Sequence, residues 1–271
     1  MRRVAIIAFT LYALAITYTV LNAILRTSTP HWLLTGTTLL FFVFAVIHAN
    51  DRFGLRSMLV FLALSFGVSF IFETVGVLTG LVYGQYYYTD RLGPKLGVVP
   101  FLIPLAWFMM MYASNTVVEI VAGETARSRS SSSTALIAFL GAMAMTAWDL
   151  GMDPQMVARS HWVWVQGGAY FGIPVQNFIG WLATTFTVFF LFRLYESRQP
   201  ARPWQFDNRY AWLPVAAYAV QGLATIIVGI TAEQSAPALV TFFGMGAFLF
   251  SAITQITGHR SQVASLNDDA T

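Results

Sequence analysis

Apolar residues fall in eight long blocks along this chain, at about 4–25, 32–48, 57–78, 98–121, 134–150, 172–194, 211–231 and 237–257. Polar or Gly/Pro-rich breaks separate them. Most blocks approach the roughly 20 residues that carry a helix across a hydrocarbon core. The pattern predicts an all-α, polytopic transmembrane bundle of about eight spans. It forms a single membrane domain over 1–257, followed by a polar tail over 258–271. The first block opens on Met1-Arg2-Arg3 and carries an Ala-x-Ala at Ala13 and Ala15. Its apolar run continues to about Leu25, which predicts an uncleaved span and not a removed signal.

Composition sharpens this picture. The 271 residues are 57% hydrophobic and 10% charged, whereas soluble domains carry roughly a quarter charged residues. An ordinary soluble enzyme is excluded. The net charge of +3 comes from scattered basic residues without a basic run interleaved with aromatics, so nucleic acid is not an expected partner. The basic residues report topology instead. With a cytoplasmic N-terminus, the inner segments hold eleven of the 15 Arg and Lys residues, among them Arg52, Arg56, Arg127, Arg193 and Arg202. The outer segments hold Arg26, Arg91, Lys95 and Arg159. This bias predicts both termini in the cytoplasm of a multi-pass cell-membrane protein. The absence of cysteine removes disulfides, thiolate nucleophiles and cysteine-ligated metals.

Two outer connections, 82–97 and 151–171, are long and dense in Gly, Pro, Tyr and Trp. Loops of that length in a compact domain usually carry function. The serine-rich stretch 128–133 reads as a flexible inner loop. A weak internal similarity links the two aromatic regions. Glu73 precedes the first loop, and the next helix opens at Pro100 with Trp107 seven residues on; Asp149 precedes the second, followed by Pro174 and Trp181 in the same spacing. A parallel duplication would produce that order, although proline at a helix start also has a purely local explanation.

Acids inside a span cost about 2.5–3.5 kcal/mol at the helix centre on insertion scales, so each needs a reason. Glu73 lies in an apolar run with no basic residue within a helical turn. Burial there favours the neutral acid, the form that a general acid requires; the alternative is a carboxyl hydrogen-bonded to a neighbouring helix. Asp149 ends the fifth block, where a carboxylate opposes the helix dipole. Asp153 precedes Pro154, where initiating a turn or capping a helix stands evenly against a role as a second candidate acid. Asp90, beside Arg91 and near Lys95, reads as a surface ion pair, and Glu119 as a residue of the inner interface. An interfacial belt is the ordinary reading of most outer aromatics, including Tyr86, Tyr87, Trp148 and Trp164. Trp107 and Trp181 lie about 10 Å below their helix-opening prolines, deeper than a belt requires. Asn177 and Trp181 share a helix face and are candidates to line a cavity. No HExxH, histidine-box, GxSxG or nucleotide-binding pattern is present.

The stretch FETVGVLTGLVYGQYYYTDRLGPKLGVVPFLIPLAWFMMMY and the later WDLGMDPQMVARSHWVWVQGGAYFGIPVQNFIGWL together cover about a quarter of the chain. In that order they resemble the two signatures of the carotenoid biosynthesis membrane proteins that hydrate acyclic carotenoid ends. The resemblance implies a lyase that adds water to a terminal isoprenoid double bond without a cofactor. The substrates it implies are an acyclic C50 carotenoid of the bisanhydrobacterioruberin type or, alternatively, the 1',2' bond of lycopene or γ-carotene. It also implies the lipid bilayer and other carotenoid-biosynthesis membrane enzymes as partners. It supplies no catalytic residues. Those are argued from the chemistry: Glu73 as proton donor, Asp149 and Asn177 to position water, and Trp107, Trp148, Trp181, Tyr86, Tyr87 and Trp164 to bind substrate and stabilise a cation. No metal ligand set is expected. Two other classes fit the same sequence: a lycopene-type cyclase, which quenches the cation with an internal double bond, and a non-catalytic transporter or carotenoid-binding scaffold.

Overall fold

The computed structural model describes residues 1–200 and 208–268, with side chains described to residue 258. Arg202 and the side chains of the expected tail therefore lie outside the described residues. Nine helices are present among the described residues: α1 (Arg2–Ile24), α2 (Trp32–Phe53), α3 (Leu55–Thr79), α4 (Leu102–Ala122), the short α5 (Glu124–Arg127), α6 (Ser131–Ala158), α7 (Val175–Glu196), α8 (Leu213–Thr231) and α9 (Ser235–Asp268). All but α5 contribute to the eight segments that are long and apolar enough to cross a membrane. Apolar side chains such as Ile7, Leu14, Ile71, Leu78, Ile179 and Phe243 face outward, as a hydrocarbon solvent requires. The backbone of α9 continues as helix through most of the expected tail, to Asp268.

The most buried span, α4, stands at the centre and packs on α2, α3, α6, α8 and α9. Small residues set the close approaches. A Cβ at Gly151 of α6 would lie 1.8 Å from the Thr241 hydroxyl of α9, and one at Gly141 would lie 2.6 Å from the Phe189 ring of α7. Between α2 and α3 the expected polar break shrinks to a single residue, Gly54, whose φ of 76° reverses the chain at little steric cost.

The α6 helix departs from the sequence expectation. The fifth block was expected to end near Leu150, but the helix runs on to Ala158 with Pro154 inside it. Proline cannot bond the carbonyl of the residue four positions earlier. The Tyr170 hydroxyl does so instead, 2.8 Å from Leu150 O. Asp153 thus sits within a helix, not in a turn or at a cap.

The two aromatic connections also do more than loop. Tyr86–Tyr88 forms strand β1, Lys95–Leu96 and Val99–Pro100 form the small hairpin β2–β3, and Trp162–Trp164 forms β4. Strands β1 and β4 pair antiparallel, with Tyr86 opposite Trp164 and Tyr88 opposite Trp162. Thr89 extends the join, donating its backbone N–H to His161 O at 3.1 Å and its hydroxyl to Ser160 O at 2.8 Å. The pairing closes both regions into one cap on the face opposite the inner loop. Reporter fusions at Ser131 and Gly168 are expected to give opposite signals, with Ser131 cytoplasmic. Matching signals would sink the eight-span topology.

At the other end of α4, Glu119 is buried between Arg52 of α2 and Arg193 of α7, the latter at 2.7 Å, with Asn115 donating at 3.1 Å. This network ties three spans together beneath the surface. Asp90 is fully exposed and pairs with Lys95 at 3.0 Å.

Candidate active site

Strand alternation builds the roof of the site. Side chains two apart on a strand point to one face, so Tyr86, Tyr88, Trp162 and Trp164 turn inward and are buried, while Tyr87 is 50% exposed. Tyr87 was expected to bind substrate; its ring stands outside the cavity described below. The roof is held down by Tyr83, whose ring lies in a slot left by Gly76 of α3 and Gly180 of α7 and whose hydroxyl meets Thr184 at 2.9 Å. A Cβ at Gly180 would lie 2.5 Å from that ring and 2.6 Å from the Val82 carbonyl. Gly180→Ala is therefore expected to cost about 1–3 kcal/mol by overpacking. Thermal unfolding in detergent would measure it, and an unchanged transition would mean that Tyr83 has room to move.

Two roof tyrosines converge on Glu73. The Tyr86 and Tyr88 hydroxyls donate to Oε2 at 2.5 and 2.7 Å, and Trp107 Nε1 of α4 donates to Oε1 at 3.0 Å. Burial, followed by the nearby Glu73 carboxyl, pushes both phenols well above their ordinary value, so they are neutral donors. Glu73 is 3% exposed and makes no ion pair among the described residues.

A second acidic cluster lies across the site. Asp149 and Asp153, one turn apart on α6, both accept from the single amide nitrogen of Asn177, at 2.9 and 2.8 Å. Trp162 Nε1 donates to the other oxygen of Asp153 at 2.6 Å. Asn177 lies in the first turn of α7, so both acids face the positive end of that helix dipole. Asp149 Oδ1 and Trp148 Nε1 are buried without a partner among the described residues.

Three indoles stand between the clusters. The rings of Trp107 and Trp181 stack at 4.0 Å with 27° between planes, and Trp148 meets Trp181 edge-on at 6.1 Å. Glu73, Trp107, Trp148, Trp181, Asp153 and Asn177 all line one cavity of about 420 Å³. Its lining also includes Tyr12 of α1 and Gln221 of α8, hydrogen-bonded to each other at 2.8 Å, and Arg91, Arg159 and His161. Burial, then Arg159 and Arg91, lowers His161 to about 4 and leaves it neutral. Glu73, Asn177 and five of the six expected substrate-binding residues, Tyr86, Trp107, Trp148, Trp164 and Trp181, line this space. Asp149 stands beside it, bound to Asn177. Two residues join them that the sequence did not single out for the site, Tyr88 and Trp162, and so does Asp153, which the sequence left between a turn or cap and a candidate acid. The period of two in Tyr-Tyr-Tyr and Trp-Val-Trp is the signal that pairs Tyr88 with Tyr86 and Trp162 with Trp164.

The internal similarity acquires a geometric counterpart. Tyr87 pairs with Val163 at the middle of the β1–β4 ribbon, and the same number of residues separates Glu73 from Tyr87 as Asp149 from Val163. The two matching tryptophans are the stacked pair.

Fold and site define a multi-pass membrane protein with a cavity walled by indoles and flanked by two separate acidic centres. The carotenoid biosynthesis protein family matches residues 30–248, and the chain belongs to that family. It is also 31% identical over 166 residues to the bisanhydrobacterioruberin hydratase of Haloarcula japonica. That match covers 60% of this chain and 53% of the relative, so the chain spans about half the length of the curated protein it matches. No solved structure matches.

Proposed function

We propose that this protein is a carotenoid hydratase of the cell membrane, adding water to the terminal isoprenoid C=C of an acyclic carotenoid end group, with a C50 substrate of the bisanhydrobacterioruberin type favoured. One observation carries the reading. A carboxyl held only by neutral donors, Glu73, and a carboxyl pair bridged by Asn177 border the same indole-lined cavity. The similarity to a named hydratase supports the reaction class and the substrate.

Glu73 gives its proton to the terminal alkene carbon, forming a C–H bond and a tertiary cation. The faces of Trp107, Trp148 and Trp181 offer cation–π attraction, worth about 2 kcal/mol or more each when desolvated. Water held on the Asp149–Asn177–Asp153 side attacks the cation, forming the C–O bond and losing its extra proton to that cluster. The product is a tertiary alcohol, and proton return through solvent restores Glu73. The sequence is redox-neutral and uses no cofactor. The end group of the polyene lies in the indole-lined cavity beneath the cap.

Expression in cells that make defined acyclic carotenoids, in the presence of ¹⁸O-labelled water and a chelator, is expected to yield products with one labelled oxygen per reacted end. Label drawn from oxygen gas would instead identify a hydroxylase. Ring closure without label would identify a cyclase, and unchanged pigment a carrier.

A further inference from the structure

We infer that Asp153 is the base that deprotonates the attacking water and that Asp149 is its positioning partner, kept as the neutral acid. The inference rests on the hydratase reading and divides the roles within its second cluster. Two buried carboxyls that share one amide nitrogen cannot both ionise without strong repulsion, and such pairs hold a proton between them. The donor count decides which one keeps it. Between two carboxyls that share one charge, the one whose oxygens are better served by donors carries it. Asp153 has both oxygens served, one by Trp162 at 2.6 Å and one by Asn177 at 2.8 Å. Among the described residues Asp149 shares only the Asn177 nitrogen, at 2.9 Å, and its Oδ1 is buried without a partner. The charge therefore belongs on Asp153 and the proton on Asp149.

Position agrees with the donor count. Asp153 forms part of the cavity wall and is a single turn beyond Asp149, which is fully buried. Asp153 Oδ2, which accepts from Asn177 at 2.8 Å, is the oxygen on which the attacking water is held. When the oxygen bonds to the tertiary carbon, one O–H bond breaks and that proton passes to Asp153. Glu73 is then the carboxylate and Asp153 the acid, and proton return through solvent resets both.

The test separates protonation from water capture. Full-length protein in membranes is incubated with an acyclic carotenoid in D₂O, and hydration is measured beside deuterium uptake into the recovered, unhydrated substrate. Asp153→Asn is expected to lower hydration by about 10²–10⁴-fold while deuterium uptake continues, because Glu73 still forms a cation that collapses back to alkene. Asp149→Asn is expected to cost hydration only roughly tenfold, the scale of one misplaced hydrogen bond. Asp153→Glu, which keeps a base, is expected to recover part of the loss, with size-exclusion profiles confirming intact protein. The assignment is overturned if Asp153→Asn hydrates normally, if it stops deuterium uptake as well as hydration, or if Asp149→Asn is the more damaging change. A protein that in its unaltered form neither hydrates nor exchanges overturns the hydratase reading itself, and this assignment with it.

Discussion

Replacing Glu73 by glutamine is expected to lower hydration by about 10²–10⁴-fold, the usual contribution of a positioned general acid, and to stop deuterium uptake into unreacted substrate. The glutamine keeps the size of the side chain, and its carbonyl still accepts from the Tyr86 and Tyr88 hydroxyls or from Trp107. What it lacks is the transferable proton. No other carboxyl is hydrogen-bonded to Glu73 or its three donors among the described residues, so no neighbour is placed to substitute for it. The comparison requires equal amounts of folded protein in the membrane. A glutamine variant that hydrates at the normal rate would remove Glu73 from the mechanism and leave it as the anchor of the cap, with Asp153 and Asp149 as the remaining acids to test.

The second large effect is expected at Asn177. Among the described residues its nitrogen is the only side-chain donor to Asp149 and one of two to Asp153. Asn177→Leu keeps a side chain branched at Cγ and favours the helix, but it removes the amide and leaves two buried acceptors unserved, each worth about 1–3 kcal/mol. The variant is expected to unfold at lower temperature in detergent and to lose hydration, since both acids are free to turn away from the water they hold. Both losses should appear together. Full stability with full activity would show that the amide does not bridge the acids in the working protein.

Much of this was legible in the sequence. The eight apolar blocks became eight spans, most ends shifted by a few residues and α6 and α9 running further, because a bilayer makes segment length and hydropathy nearly sufficient to place a helix. Glu73 stood out because an acid amid apolar residues must be explained. Trp107 and Trp181 stood out by their depth below the helix-opening prolines. Each of these signals is local or periodic, and local signals survive in a single chain.

The misplacements came from interactions between distant residues. Pro154 reads locally as a helix end, yet α6 continues because Tyr170, far along the chain, bonds the carbonyl that proline leaves free. The aromatic connections read as loops because each strand is three residues long and is stable only against the other. That pairing decided that Tyr88, not Tyr87, faces Glu73, and that Trp162 reaches Asp153. The sequence by itself determined a membrane bundle with an acid and deep indoles on one face, since hydropathy, charge bias and helical spacing are properties of short segments. Only the tertiary structure decided which carboxyl borders the cavity and which donors it holds, because a hydrogen bond is set by where two remote segments meet.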